Sequence, residues 1–166
     1  EIVLVISNVP DVEGLQRARE AGIEALTVDH KRFGKDREAF ERAIDAVLRA
    51  RRIDIVALAG FMRVLTPFFV RAWSGRLLNI HPSLLPKYPG TNTHARALEA
   101  GDKEHGATVH LVVEEVDAGE VLGQARMPIE AADTPETLAQ RLLALEHELY
   151  PRCLAKFAAK TPPREV

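Results

Sequence analysis

The sequence predicts an α/β fold built on a doubly wound, mostly parallel sheet, and three observations predict it. Short continuous apolar runs at residues 2–7, 25–28 and 54–59 have the character of strands buried on both faces. Between them lie segments whose apolar residues recur at helical spacing. Strand and helix therefore alternate through the first half of the chain, the order that gives a parallel sheet whose ligands sit beyond the carboxyl ends of the strands.

The first run, Ile2 to Ser7, is broken by Asn8, Pro10 and Asp11. From Val12 to Ala21 the spacing of Val12, Leu15 and Ala18 predicts a short helix closed by Gly22, where a left-handed cap is often needed. A second strand follows at Ala25 to Val28. Between Asp36 and Arg51, Phe40, Ile44, Val47 and Leu48 fall at i, i+4, i+7 and i+8 and form one apolar helical face, with a charged face opposite. Asp54 to Ala59 is a third strand ending at Gly60, and Thr66-Pro67 is the pair favoured at a helix N-cap and first turn. The run Arg76 to His81 is halted by Pro82, which cannot donate to a sheet ladder. His94 to Ala100 reads as a short helix. Thr108 to Val113 and Val121 to Met127 read as two strands joined around Asp117-Ala118-Gly119. Thr134-Pro135 opens the last helix, with Leu138, Leu142, Leu145 and Leu149 as its buried stripe. Residues 1–158 are expected to form a single domain and residues 159–166, polar and proline-containing, a loose tail.

Bulk properties exclude several function classes. The 46% apolar and 28% charged composition is that of a globular chain, and 166 residues suit one domain with a substantial core. A formal charge of −2 without long single-sign blocks gives no basic footprint for nucleic acid or membrane, so a small-molecule ligand is expected. No apolar run approaches the roughly 20 residues that span a bilayer. The lone Cys153 excludes an internal disulfide framework and fits a reducing, cytoplasmic setting. Six histidines show neither H-E-x-x-H nor a Cys/His ligand spacing, so no metal is expected. Nor is there a serine elbow, Walker loop or complete G-x-G-x-x-G.

The chemistry concentrates in Leu77 to Gly90. In a strand, Asn79 and His81 project to one face while Leu78 and Ile80 face the other. Prolines 82, 86 and 89 stiffen the following loop. If the Asp117 turn folds back over the strand end, Asn79, His81 and Asp117 make a set suited to acyl transfer. An amide N–H and a protonated imidazole are good donors to a carbonyl oxygen gaining negative charge, and a nearby carboxylate favours the charged imidazole and can take the attacking amine's proton. Taken singly, each residue also has a plain structural reading, as a strand-end amide, a core histidine and a turn aspartate.

Together these residues resemble a known family, the phosphoribosylglycinamide formyltransferases. The resemblance covers nearly the whole chain, through Ala59-Gly-Phe-Met-Arg-Val-Leu65, Leu78-Asn-Ile-His-Pro-Ser-Leu-Leu-Pro-Lys-Tyr-Pro-Gly90, His105-Gly-Ala-Thr-Val-His110, Asp117-Ala-Gly119 and Glu146-His147. It implies a Rossmann-like fold with C-terminal antiparallel strands and a long C-terminal helix. It also implies transfer of a formyl group from the cosubstrate 10-formyltetrahydrofolate to the amino group of glycinamide ribonucleotide, by a monomer or weak homodimer. Carried across, Asn79 would hold the formyl oxygen, His81 would donate a proton, and Asp117 would keep His81 charged. Met62, Arg63, Val64 and Leu65 match a pterin-binding turn, with Leu58 and Val70 as apolar walls. Val113, Glu114, Glu115, Val116 and Asp117 would close the folate pocket, and Arg37 would meet the folate's glutamate carboxylate. Leu143, Ala144, Leu145 and Glu146 match a segment beside the ribonucleotide, with Glu146 facing its polar groups.

Two departures from the family pattern stand out. Asn92 occupies a position where relatives commonly carry histidine. The family's first strand, its glycine-rich phosphate loop and its first helix have no counterpart here, so the phosphate site is expected outside these residues, as part of a longer chain. The rival readings are a formyltetrahydrofolate deformylase, which gives the formyl group to water, a transfer RNA formyltransferase, disfavoured by the lack of a basic surface, and a folate-binding module without catalysis.

Overall fold

The computed structural model describes residues 1–165, which divide into two compact units. The first unit comprises residues 1–53 and 63–72. In it, β1 (Leu4–Ser7) pairs in parallel with β2 (Glu24–Thr27), joined by α1 (Glu13–Glu20), which buries Leu15 and Ala18. Gly22 takes φ of 72°, as its place after the helix requires. A 3-10 turn over His30–Phe33, absent from the periodicity reading, leads to α2 (Arg37–Ala50), and the Asp36 carboxylate caps α2 by accepting from Ala39 N at 2.9 Å. One member of the supposedly charged face of α2 is not in solvent. Glu41 is 1% exposed and accepts hydrogen bonds from Thr66 N (2.9 Å) and Thr66 Oγ1 (3.1 Å), just before α3 (Pro67–Ala72). Burial pushes the Glu41 carboxyl up, and the two Thr66 bonds oppose that.

The second unit comprises residues 54–62 and 73–165 and carries a four-stranded sheet in the order β3-β4-β5-β6. β3 (Val56–Leu58) is parallel to β4 (Leu77–His81); β5 (Glu104–Leu111) and β6 (Val121–Pro128) continue the sheet antiparallel. The sheet's character thus changes at β4, the strand that carries Asn79 and His81. A short α4 (Thr93–Glu99) precedes β5. β5 begins four residues earlier than its β-branched residues suggest, through His105 and Gly106. A side chain at Gly106 would place its Cβ 2.0 Å from the Ala125 carbonyl oxygen of β6 and 2.5 Å from Leu84, so glycine alone permits that ladder.

The core of this unit lies between the sheet and α5 (Pro135–Lys160). Leu78, Ala107 and Val109 from β4 and β5 pack with Leu138, Leu142, Leu149 and Cys153, and Leu145 lies partly buried against them. α5 opens on a reciprocal cap between Thr134 and Thr137, and it runs on through Pro151. The hydroxyl of Tyr150 donates to the carbonyls of Leu58 (2.7 Å) and Leu78 (3.2 Å), tying α5 to β3 and β4. The expected loose tail needs correction. The helix continues to Lys160, Pro162 O accepts from Arg76 Nη1 at 2.9 Å, and Arg164 N donates to Asp54 Oδ1 at 2.6 Å, so the residues after the helix are bonded to the entries of β4 and β3. Residue 166 lies outside the described residues.

Candidate active site

Because one face of β4 and β5 is committed to the α5 core, the alternate residues are left to form a polar face. Asn79 stands opposite His110, and His81 opposite Thr108. The Asn79 amide makes no hydrogen bond among the described residues, which leaves it available to a ligand. His81 is 5% exposed, with Nε2 lying 2.8 Å from the Tyr88 carbonyl oxygen; that oxygen can only accept, so Nε2 carries the hydrogen. Its Nδ1 faces Asp117 Oδ2 at 3.4 Å.

Asp117 reaches His81 because the chain turns back after β5. Val112 N donates to Leu77 O at 2.8 Å and Leu111 N donates to Glu120 O at 2.9 Å, and the second bond closes the loop at its base. Asp117 itself adopts φ of 55°, a left-handed conformation that aspartate tolerates better than most residues. Gly119 crosses the Leu111 carbonyl so closely that a Cβ would lie 1.7 Å from that oxygen. The Asp117 side chain is 10% exposed, with Oδ2 accepting the Gly90 N–H at 2.8 Å.

The 82–90 loop is braced at several points. Thr108 Oγ1 donates to Ser83 O (2.7 Å) and accepts from Leu85 N (3.1 Å). Tyr88 Oη and Lys87 Nζ both reach Asp102 Oδ2, at 2.7 and 3.1 Å, and these bonds hold the Asp102 carboxyl down. Arg96 Nη1 donates to Pro89 O at 2.6 Å. Asn92 is exposed in a left-handed conformation (φ 57°) immediately before α4, where its side chain makes no capping bond. Beneath the loop, His94 Nδ1 and His105 Nε2 share one hydrogen bond of 2.9 Å. Burial, reinforced by His94 and His81, drives His105 down to about 4, and burial with the neighbouring His81 also lowers His94.

Of the residues singled out from the sequence, His81 and Asp117 meet at 3.4 Å, Asn79 stands two residues before His81 on β4 and opposite His110, and Val113 to Val116 lie on the Asp117 loop. All four of Val113–Val116 are exposed. Leu58 pairs with Asn79 across β3 and β4, and Met62 is 87% exposed. Leu143 to Glu146 lie on α5, where Leu143 is 49% exposed; burial pushes the Glu146 carboxyl up, against the pull of His147. Arg37, Arg63, Val64, Leu65 and Val70 belong to the first unit. There Arg37 is exposed at the start of α2, the Arg63 guanidinium lies 5.5 Å over the Phe40 ring, Val64 is exposed, Leu65 is partly buried and Val70 is buried. The sequence reading missed His110. Its signal was present, since Thr108-Val-His110 repeats the alternation of Asn79-Ile-His81 and would face it in an antiparallel pair.

A carboxylate, an imidazole and an unengaged amide around a strand end form a set fitted to acyl transfer, and comparison with known proteins bears on which kind. The sequence profile described as Formyl transferase matches residues 1–154. The chain belongs to the formyl transferase family. Within it, the phosphoribosylglycinamide formyltransferase of Escherichia coli is 49% identical over 154 residues, 93% of this chain and 72% of that protein. A crystal structure of phosphoribosylglycinamide formyltransferase from Brucella melitensis superposes with a TM-score of 0.89 at 50% identity, covering 98% of this chain and 83% of that one. The trifunctional purine biosynthetic protein adenosine-3 of Drosophila melanogaster is 54% identical over 155 residues, 93% of this chain, which spans only 11% of that protein's length. In this formyl transferase family member no cluster of three or more His, Cys, Asp or Glu placed to hold a metal occurs among the described residues.

Proposed function

We propose that this protein transfers the formyl group of 10-formyltetrahydrofolate to the amino group of glycinamide ribonucleotide, a step of purine biosynthesis, in the cytoplasm. The observation that carries this reading is the convergence of Asn79, His81 and Asp117, with Asp117 Oδ2 3.4 Å from His81 Nδ1. As the amine attacks, the formyl oxygen gains charge, which the Asn79 amide and the His81 imidazolium stabilise as donors. Asp117 holds the imidazolium by charge and takes the proton that the amine loses, and His81 supplies a proton to the departing folate nitrogen.

In this reading the pterin lies against the turn Met62–Leu65, with Leu58, Val70 and the 113–117 loop, and Arg37 meets the folate carboxylate. The ribonucleotide lies beside Leu143–Glu146, with the Glu146 carboxyl facing its polar groups. No metal takes part, residues 1–158 act as one formyltransferase domain, and the protein works as a monomer or weak homodimer. The deciding assay supplies 10-formyltetrahydrofolate with and without glycinamide ribonucleotide. Formylated ribonucleotide, formed only when the acceptor is present, is the expected product. Formate released without it would mean a hydrolase, and folate binding with no product would mean a binding module.

A further inference from the structure

The Asp117 carboxylate has an imidazole on each side, and the chemistry above uses only one. His110 is 2% exposed and faces Asn79 across the β4–β5 ladder. Its Nδ1 lies 3.0 Å from the Leu111 carbonyl oxygen, an atom that can only accept, so Nδ1 carries a hydrogen. In the neutral ring Nε2 is then a bare lone pair. That atom is buried without a hydrogen-bond partner, 3.6 Å from Asp117 Oδ1. A lone pair facing an ionised carboxylate oxygen has nothing to accept, and buried acceptors are seldom left so. Asp117 Oδ2 is already occupied by the Gly90 N–H and by His81, which leaves Oδ1 as the oxygen able to take a proton.

We infer that His110 is a positioning residue whose Nε2 accepts the O–H of Asp117 whenever Asp117 holds the proton released by the attacking amine. The inference rests on the formyl-transfer reading. In that reaction the amine nitrogen bonds to the formyl carbon and its proton passes to Asp117 Oδ1, where the new O–H donates to His110 Nε2. The carbon–N10 bond then breaks with its electron pair on N10, which takes a proton from the His81 imidazolium. Asp117 then gives up its proton to solvent and Nε2 of His81 regains one from solvent. One proton has moved from amine to N10, and every side chain ends as it began. His110 thus stabilises Asp117 in its proton-bearing form and not in its resting form, which is the differential contact that speeds a step.

Two measurements on the full chain test this. In the protein labelled with 15N-histidine, the His110 signals, assigned by their loss in His110→Asn, are expected to show hydrogen on Nδ1 and none on Nε2 at neutral pH. A hydrogen on Nε2 would overturn the inference, because no acceptor would remain. In the transfer assay, His110→Asn keeps a donor for Leu111 O but removes the Nε2 acceptor, and kcat is expected to fall about 10- to 100-fold with both KM values within about threefold. His110→Gln, which places an amide oxygen near the Nε2 position, is expected to recover most of that loss. Unchanged kcat in His110→Asn, or equal losses in both variants, would overturn the role. Should the wild-type protein leave the ribonucleotide unformylated, the formyl-transfer reading falls, and the nitrogen spectrum still decides whether His110 offers Asp117 an acceptor.

Discussion

Replacing Asp117 by asparagine removes one charge while keeping nearly everything else. Asparagine tolerates the left-handed backbone at this position (φ 55°), and its amide oxygen can still accept the Gly90 N–H that Oδ2 now holds at 2.8 Å. What disappears is attraction between a carboxylate and an imidazolium 3.4 Å apart, both side chains at most 10% exposed. At an effective dielectric of about 20, unit charges at that distance interact by about 5 kcal/mol. Because about 1.4 kcal/mol of barrier is a factor of ten, losing between half and all of that interaction when His81 is charged slows turnover by about 10²- to 10⁴-fold. Initial rates of ribonucleotide formylation, measured beside a urea denaturation curve, separate the charge effect from any loss of structure. Turnover within about fivefold of wild type, with the fold intact, would refute the role given to Asp117.

Other perturbations reach the scaffold of the site. In Gly119→Ala the new Cβ meets the Leu111 carbonyl at 1.7 Å, backbone that cannot rotate away. The loop must shift, with an expected loss of about 1–3 kcal/mol and a drop in kcat, since Asp117 is two residues distant; unchanged denaturation and unchanged rate together would contradict the close crossing. Tyr150→Phe removes the hydroxyl that serves the Leu58 and Leu78 carbonyls and should lower stability by about 1 kcal/mol in urea titration. For pH, His105 is held down to about 4 in the fold, against 6.5 for an ordinary histidine. Between those values the unfolded chain binds more protons than the folded one, so stability is full above about 6.5 and falls as pH drops toward 4, by up to about 3 kcal/mol. His105→Gln should flatten that part of the stability profile, and a slope equal to wild type would show that His105 does not set it.

The legible part of the fold was what depends on local pattern. The β4 run, the apolar face of α2, the Thr134 start of α5 and its leucine stripe follow from spacing and side-chain chemistry alone, and all appear in the structure. What was not legible depends on partners distant in the chain. Glu41 reads as one more charged residue on a helix surface until Thr66 arrives with two donors. The early start of β5 is set by the close approach of Ala125, not by the propensity of His105 and Gly106. The terminal residues read as loose because polar and proline-rich composition predicts little self-contact, whereas Arg76 and Asp54, 86 and 110 residues before their partners, supply the bonds. At the site, Asn79 and His81 were readable from period-two alternation, and Asp117 from the turn it occupies. His110 needed knowledge that β5 runs antiparallel to β4, a pairing that the alternation permits but does not specify.

The Tyr88 carbonyl seated on Nε2 of His81 makes the ring's outward hydrogen a contested one. With Nδ1 turned to Asp117, the imidazole has no third position from which to serve a ligand. Tyr88 and an incoming molecule are therefore mutually exclusive guests at a single N–H. Because Tyr88 is also anchored through its hydroxyl to Asp102, dislodging it strains a bond on the far side of the ring, and arrival at the imidazole becomes an exchange of one acceptor for another.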